Sequence, residues 1–232
     1  MLSDIFSSFD PAIVSSTLIF ITPIWASCLI ILLLMSASFW LQPNRNTWLI
    51  FSSLNLMWEQ MTRTTGIQIK GLSSLIVPLF LLLILINLLG LIPYVLSLSS
   101  HLLFALTLGL PLWFMLIISS LSYNPKKFAA SLLPTGAPLW LSPALILIEM
   151  TSTLIRPITL SFRLVANMTA GHIVLGLMGI YLSFSLFSGS LTSSTLVILI
   201  QTGYVLFEMG ICLIQAFIFC LLLSLYSDDH PT

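Results

Sequence analysis

Glu149-Met-Thr-Ser-Thr-Leu-Ile-Arg156-Pro-Ile-Thr-Leu-Ser-Phe-Arg163-Leu-Val-Ala-Asn167-Met-Thr-Ala-Gly-His172 sets three formal charges and a histidine inside a run otherwise apolar enough to sit in lipid. Glu149, Arg156 and Arg163 follow one another at steps of seven. At about 100° per residue, each such step drifts only about 20° around a helix, so the three share a face. An ionised side chain at the centre of a bilayer costs about 3 kcal/mol even on the gentlest scales. A helix carrying this stripe needs protein, water or a charged partner along it.

Composition says the same of the whole chain. Its 232 residues are 58% hydrophobic and 6% charged, with a mean hydropathy of +1.13, whereas an ordinary soluble domain has about a quarter charged residues. The chain reads as an all-α integral membrane protein forming a single membrane domain over residues 1–232. Lys and Arg balance Asp and Glu at seven each, which excludes a basic nucleic-acid footprint. Cys28, Cys212 and Cys220 stand apart in apolar surroundings and read as small hydrophobes, without metal-ligand spacing. No signal-peptide or transit-peptide pattern opens the sequence, so it is expected to begin as a mature membrane protein.

Five apolar stretches, about 13–41, 72–96, 102–121, 143–187 and 196–226, are each long enough for the roughly 20 residues a spanning helix needs. Between the first two, Ile50, Leu54, Met57, Trp58 and Met61 recur at helical spacing among polar residues. This predicts an amphipathic helix over about 46–65, lying in the membrane interface or packed on the protein itself. The fourth stretch would measure roughly 60 Å unbroken, about twice the hydrocarbon thickness, so it must tilt or bend. Pro157 predicts a kink there, and Gly171, Gly176 and Gly179 predict close approach of another backbone. Residues 188–195 read as a Ser/Thr/Gly-rich link.

Five spans put the termini on opposite sides. Arg45, Arg63, Lys70, Lys126 and Lys127 then all face one compartment, which the positive-inside rule makes the inner one. The N-terminus is expected outside and the C-terminus inside. The long helix runs outward, with Glu149 about 21 Å and His172 about 13 Å from Arg163 along an ideal axis. The last helix returns antiparallel to it, with Gln201, Glu208 and Gln215 also at steps of seven.

Glu149, His172 and Glu208 can accept and release protons, whereas Arg163 effectively cannot, so staggered titratable groups around a fixed cation suggest a proton path. The competing reading is a structural ion-pair network that fixes helix register. Intrahelical pairing at seven residues is poor, because the Cα atoms lie about 10.5 Å apart and Glu149 leans away from Arg156. Arg156 is expected to snorkel or to pair with Glu149 all the same. Asn87, Gln201 and Gln215 serve either the path or helix–helix hydrogen bonding, and His101 and His230 read as solvated bystanders. No phosphate loop, nucleophile elbow or metal-ligand spacing is present, so no cofactor or covalent chemistry is expected. A secondary transporter is a rival, but it would commonly show internal repeats and interrupted helix pairs.

Ser161-Phe-Arg163-Leu-Val-Ala-Asn167-Met-Thr-Ala-Gly-His172 resembles the hallmark of the a-subunit family of F-type ATP synthases, in its mitochondrial form. Asn87-Leu-Leu-Gly-Leu-Ile-Pro93 is similar to that family's second block and Glu208-Met-Gly-Ile-Cys-Leu-Ile-Gln215-Ala to its third. The resemblance implies a non-catalytic stator of the membrane sector, beside a rotating ring of small hairpin c-type subunits and held by the peripheral stalk. It implies that Arg163 meets the ring carboxylate and bars direct leakage between two offset half-channels. His172 and Glu208 would then line the intermembrane-space half-channel and Glu149 the matrix one, with Asn167 and Gln215 near the arginine. The implied location is the mitochondrial inner membrane, with the N-terminus in the intermembrane space and the C-terminus in the matrix.

Overall fold

The fold is described from a computed structural model that covers residues 45–92, 97–131, 133, 139–189, 191–228 and 230. The expected first span, about 13–41, lies outside these residues. Six α-helices follow in order: α1 Arg45–Arg63, α2 Leu72–Gly90, α3 Leu102–Tyr123, the short α4 Pro125–Ser131, α5 Ser142–Phe187 and α6 Leu191–Asp228. The described residues contain no strand. Four of the helices, α2, α3, α5 and α6, are long and apolar enough to cross a membrane.

Several boundaries differ from those the sequence predicts. The last helix begins at Leu191 rather than about 196, so only three residues separate it from the end of α5 in place of the expected link. Polar residues are no obstacle there, since Ser194 and Thr195 turn their hydroxyls back to the carbonyls of Leu191 and Thr192, at 2.9 and 3.0 Å. Gly189, at φ 70°, closes α5 in the left-handed conformation that suits glycine, its N–H donating to Leu186 O at 3.3 Å. At the other end of the chain's core, α2 stops at Gly90, before Pro93, rather than running to 96. Pro157 lies inside a single unbroken helix of 46 residues. Its missing donor is tolerated where neighbouring turns and helices satisfy the freed backbone.

The chain divides into two compact units of interleaved segments. The first takes in Leu82–His101 and Leu164–Ala216, with a core of Leu83, Ile86, Asn87, Leu164, Met168, Cys212 and Ala216. The second takes in Trp48–Leu81, Leu102–Arg163 and Phe217–Thr232, with a core of Met57, Met61, Leu72, Ile76, Trp113, Leu116, Leu160, Phe219 and Leu223. In this second unit α1 buries Met57 and Met61 but leaves Trp48, Phe51, Leu56 and Trp58 exposed. Of the two sequence readings of the amphipathic helix, packing on the protein is seen for one stripe, while Trp48, Phe51 and Trp58 stay exposed.

The end of α6 is tied to the turn that follows α1. Asp228 Oδ1 accepts hydrogen bonds from the Thr65 backbone N–H at 2.7 Å and the Thr65 hydroxyl at 2.9 Å. A side chain at Gly66 would collide with the Ser227 hydroxyl, so only glycine admits this approach. Asp228→Ala removes both bonds and should speed amide exchange at Thr65 about fivefold, equivalent to about 1 kcal/mol of local stability. Asp228→Asn, which keeps an acceptor, should preserve most of the protection; hydrogen–deuterium exchange read by mass spectrometry on the intact complex checks both.

Candidate functional site

In the first unit, the half of α5 beyond Arg163 packs on the first part of α6 through polar and small residues. Asn167 Nδ2 donates to Gln215 Oε1 at 2.9 Å, and the Met168 and Cys212 sulfurs lie 3.6 Å apart. Next along the seam, Gly171 opens the space that the Glu208 carboxylate fills: a Cβ at this position would collide with it. As numbers rise along α5 through 167, 168 and 171, their partners on α6 fall through 215, 212 and 208. Glu208 is 5% exposed and accepts a hydrogen bond from the Tyr204 hydroxyl at 3.2 Å. His172, half-buried, follows Gly171 directly.

Asn87, fully buried, leans on the same seam. Its Nδ2 lies 3.5 Å from the Cys212 carbonyl, and its Oδ1 has no hydrogen-bond partner among the described residues. Of the two uses the sequence leaves open for Asn87, helix–helix bonding is the one with visible partners. Gly176 and Gly179, expected beside Gly171 as close-approach positions, meet nothing within 4 Å among the described residues. Close approach needs a partner long enough to reach into the gap, and of these three glycines only Gly171 has one among the described residues.

The second unit gathers a different set. Glu149 Oε1 and Arg156 Nη2 lie 3.6 Å apart. The spacing argument against this pair fails because the arginine side chain, longer than the glutamate's, reaches back toward the helix N-terminus and spans much of the roughly two turns between them. The Arg156 guanidinium also sits 5.3 Å from the centre of the Tyr226 ring, within cation–π range. Glu149, Thr153, Arg156, Tyr226 and His230 share the wall of a cavity of about 200 Å³ with Trp113 and Ser120. His230 is therefore no solvated bystander: it is half-buried, its ring centre lies 6.0 Å from that of Tyr123, and its Nδ1 is buried. Helical spacing could not have found it, because it lies two residues beyond the end of α6.

Arg163 joins neither cluster. It is exposed, while Leu160 and Leu164 on either side are buried, so α5 turns the guanidinium away from its own packed face. Among the described residues no ion pair holds it. The structure thus brings Asn167 to Gln215 and Glu149 to Arg156, sets Glu208 against Gly171, and leaves Arg163 outward.

A family model described as ATP synthase A chain matches residues 18–228. The chain belongs to this family. The ATP synthase F(0) complex subunit a of Rhopalosiphum padi is 36% identical over 230 residues, covering 99% of this chain and all of that protein. The ATP synthase subunit a of Albinaria caerulea is 42% identical over 231 residues, covering the whole of both, and that of Artemia franciscana is 36% identical over 229. As an ATP synthase A chain, with four helices fit to cross a membrane, the chain is a multi-pass subunit of the ATP synthase membrane sector.

Within this A chain, the fit of Gly171 to Glu208 makes a sharp test. Gly171→Ala should destabilise the subunit by about 2 kcal/mol through overpacking, lowering its thermal unfolding midpoint in the purified complex. Glu208→Asp, one methylene shorter, should restore most of that loss when combined with it. No restoration in the double variant would mean that the carboxylate does not occupy this space.

Proposed function

We propose that this subunit is the proton-translocating stator of its ATP synthase, offering two offset half-channels to a rotating ring of small hairpin subunits, each with a mid-membrane carboxylate. The observation that carries the reading is Arg163, a cation on a membrane-spanning helix that the described residues neither bury nor pair. Such a charge calls for water or a charged partner on that face. Ala166 and Ala170, also exposed, fall on the same helical face by spacing and offer a partner little to lock onto. Loose contact of this kind suits a surface that must slide.

The titratable groups support the division into two paths. Glu208, with Tyr204, and His172 belong to one unit, and Glu149, with Arg156, Tyr226 and His230, to the other; Arg163 is the residue at which the chain passes between them. In this reading His172 and Glu208 serve the intermembrane-space half-channel and Glu149 the matrix one. Asn167 and Gln215 brace the helices near the arginine. The descending contacts between α5 and α6 support an antiparallel pair facing the ring. With the stretch 13–41 as a fifth span, all 232 residues form one membrane domain of the mitochondrial inner membrane. The N-terminus then lies in the intermembrane space and the C-terminus in the matrix, and the peripheral stalk holds the subunit still.

One charge crossing 100 mV is worth about 2.3 kcal/mol, so rotation delivers work only if direct leakage is slow. A permanent cation between the half-channels raises the barrier to a proton going straight through. Arg163→Ala in the assembled complex, reconstituted in vesicles, should abolish potential-driven ATP synthesis and raise passive proton leak. Synthesis at the normal rate would sink the mechanism.

A further inference from the structure

We propose that His230 is a proton-relay residue, the exchange group through which the matrix half-channel meets bulk water. The proposal rests on the reading of Glu149 as the matrix-side station. Three observations place the imidazole in that path. His230 lines the same cavity as Glu149. Its Nδ1 is buried and has no hydrogen-bond partner among the described residues. It also lies just beyond Asp228, the last residue of α6, where the chain leaves the apolar span.

The cavity, about 200 Å³, has room for about six waters at about 30 Å³ each. Waters there would satisfy Nδ1 and connect it to the carboxylate. The charged and titratable groups facing His230 are Tyr123 from α3, Glu149 and Arg156 from α5, and Tyr226 from α6. Arg156 does not exchange protons at all, and it is held between Glu149 and the face of Tyr226. An imidazole ring carries one nitrogen that can accept a proton and another that can donate one. His230 is therefore the side chain in this wall suited to passing a proton on.

The step balances without any further reactant. The Glu149 carboxyl loses its proton through cavity water to Nδ1 of the neutral imidazole, leaving a carboxylate and an imidazolium. The imidazolium then releases its Nε2 proton to bulk water, and the neutral ring returns to its starting tautomer by exchange with water. Arg156 stays charged throughout and holds the carboxylate in place.

The test uses the whole ATP synthase in sealed vesicles at a fixed potential, with native gels reporting the amount of assembled complex. His230→Ala should slow ATP synthesis per assembled complex several-fold, most at low buffer concentration on the matrix side, and added imidazole should restore most of the rate. Pyrazole, of the same shape but without proton exchange near neutrality, should restore nothing. His230→Gln carries the same test if the alanine variant assembles poorly: it should be as slow per complex, because glutamine fills the space without relaying protons. A normal rate in either variant, or equal restoration by pyrazole, overturns the proposal. Glu149→Gln separates the two levels. If it leaves synthesis normal, the matrix-station reading itself fails, whereas a slow Glu149→Gln beside a normal His230→Gln removes only the role of His230.

Discussion

A charge held in lipid must be matched, and the chain's few charges are distributed by that requirement. Glu149 and Arg156 match each other at 3.6 Å and line one cavity. Glu208 is matched differently, by the Tyr204 hydroxyl and by the gap that Gly171 leaves in the facing helix. Arg163, on the same long helix as Glu149 and Arg156, is instead handed outward. Helix lengths, the glycine opposite Glu208 and the tie of Asp228 to Thr65 serve to hold these three arrangements in place. Were the intramembrane charges removed, little in the sequence would distinguish these helices from any apolar bundle.

The helices were legible because their signal is long and redundant. About twenty apolar residues in succession leave few alternatives in a bilayer, and α3 and α5 lie where hydropathy puts them, while α2 starts there and stops six residues short. The start of α6 was not legible, since serine and threonine count as polar on any scale yet return their hydroxyls to their own backbone inside a helix. Steps of seven correctly put Glu208 and Gln215 on one face, and both are buried.

Pairing was harder to read than placement. Spacing along an ideal helix measures backbone rise, but arginine reaches back along the helix, and so the Glu149–Arg156 pair forms where the rise alone argues against it. His230 was missed for a related reason: a tail residue looks solvated until the walls around it are known. Conversely, three glycines looked equally suited to close packing, and among the described residues only the one opposite a carboxylate is so used. Sequence shows where a gap can be; the partner's side chain decides whether it is filled.

The scant self-coverage of α5 bears on how the protein is made. In its most apolar window only 11% of residues are buried within the chain, against 44% for α2, although α5 is the longest helix described. The outward cation and apolar flanks of this helix thus find little cover among the described residues. The lifetime of an unassembled copy in the membrane should then depend on how soon a neighbour covers that helix.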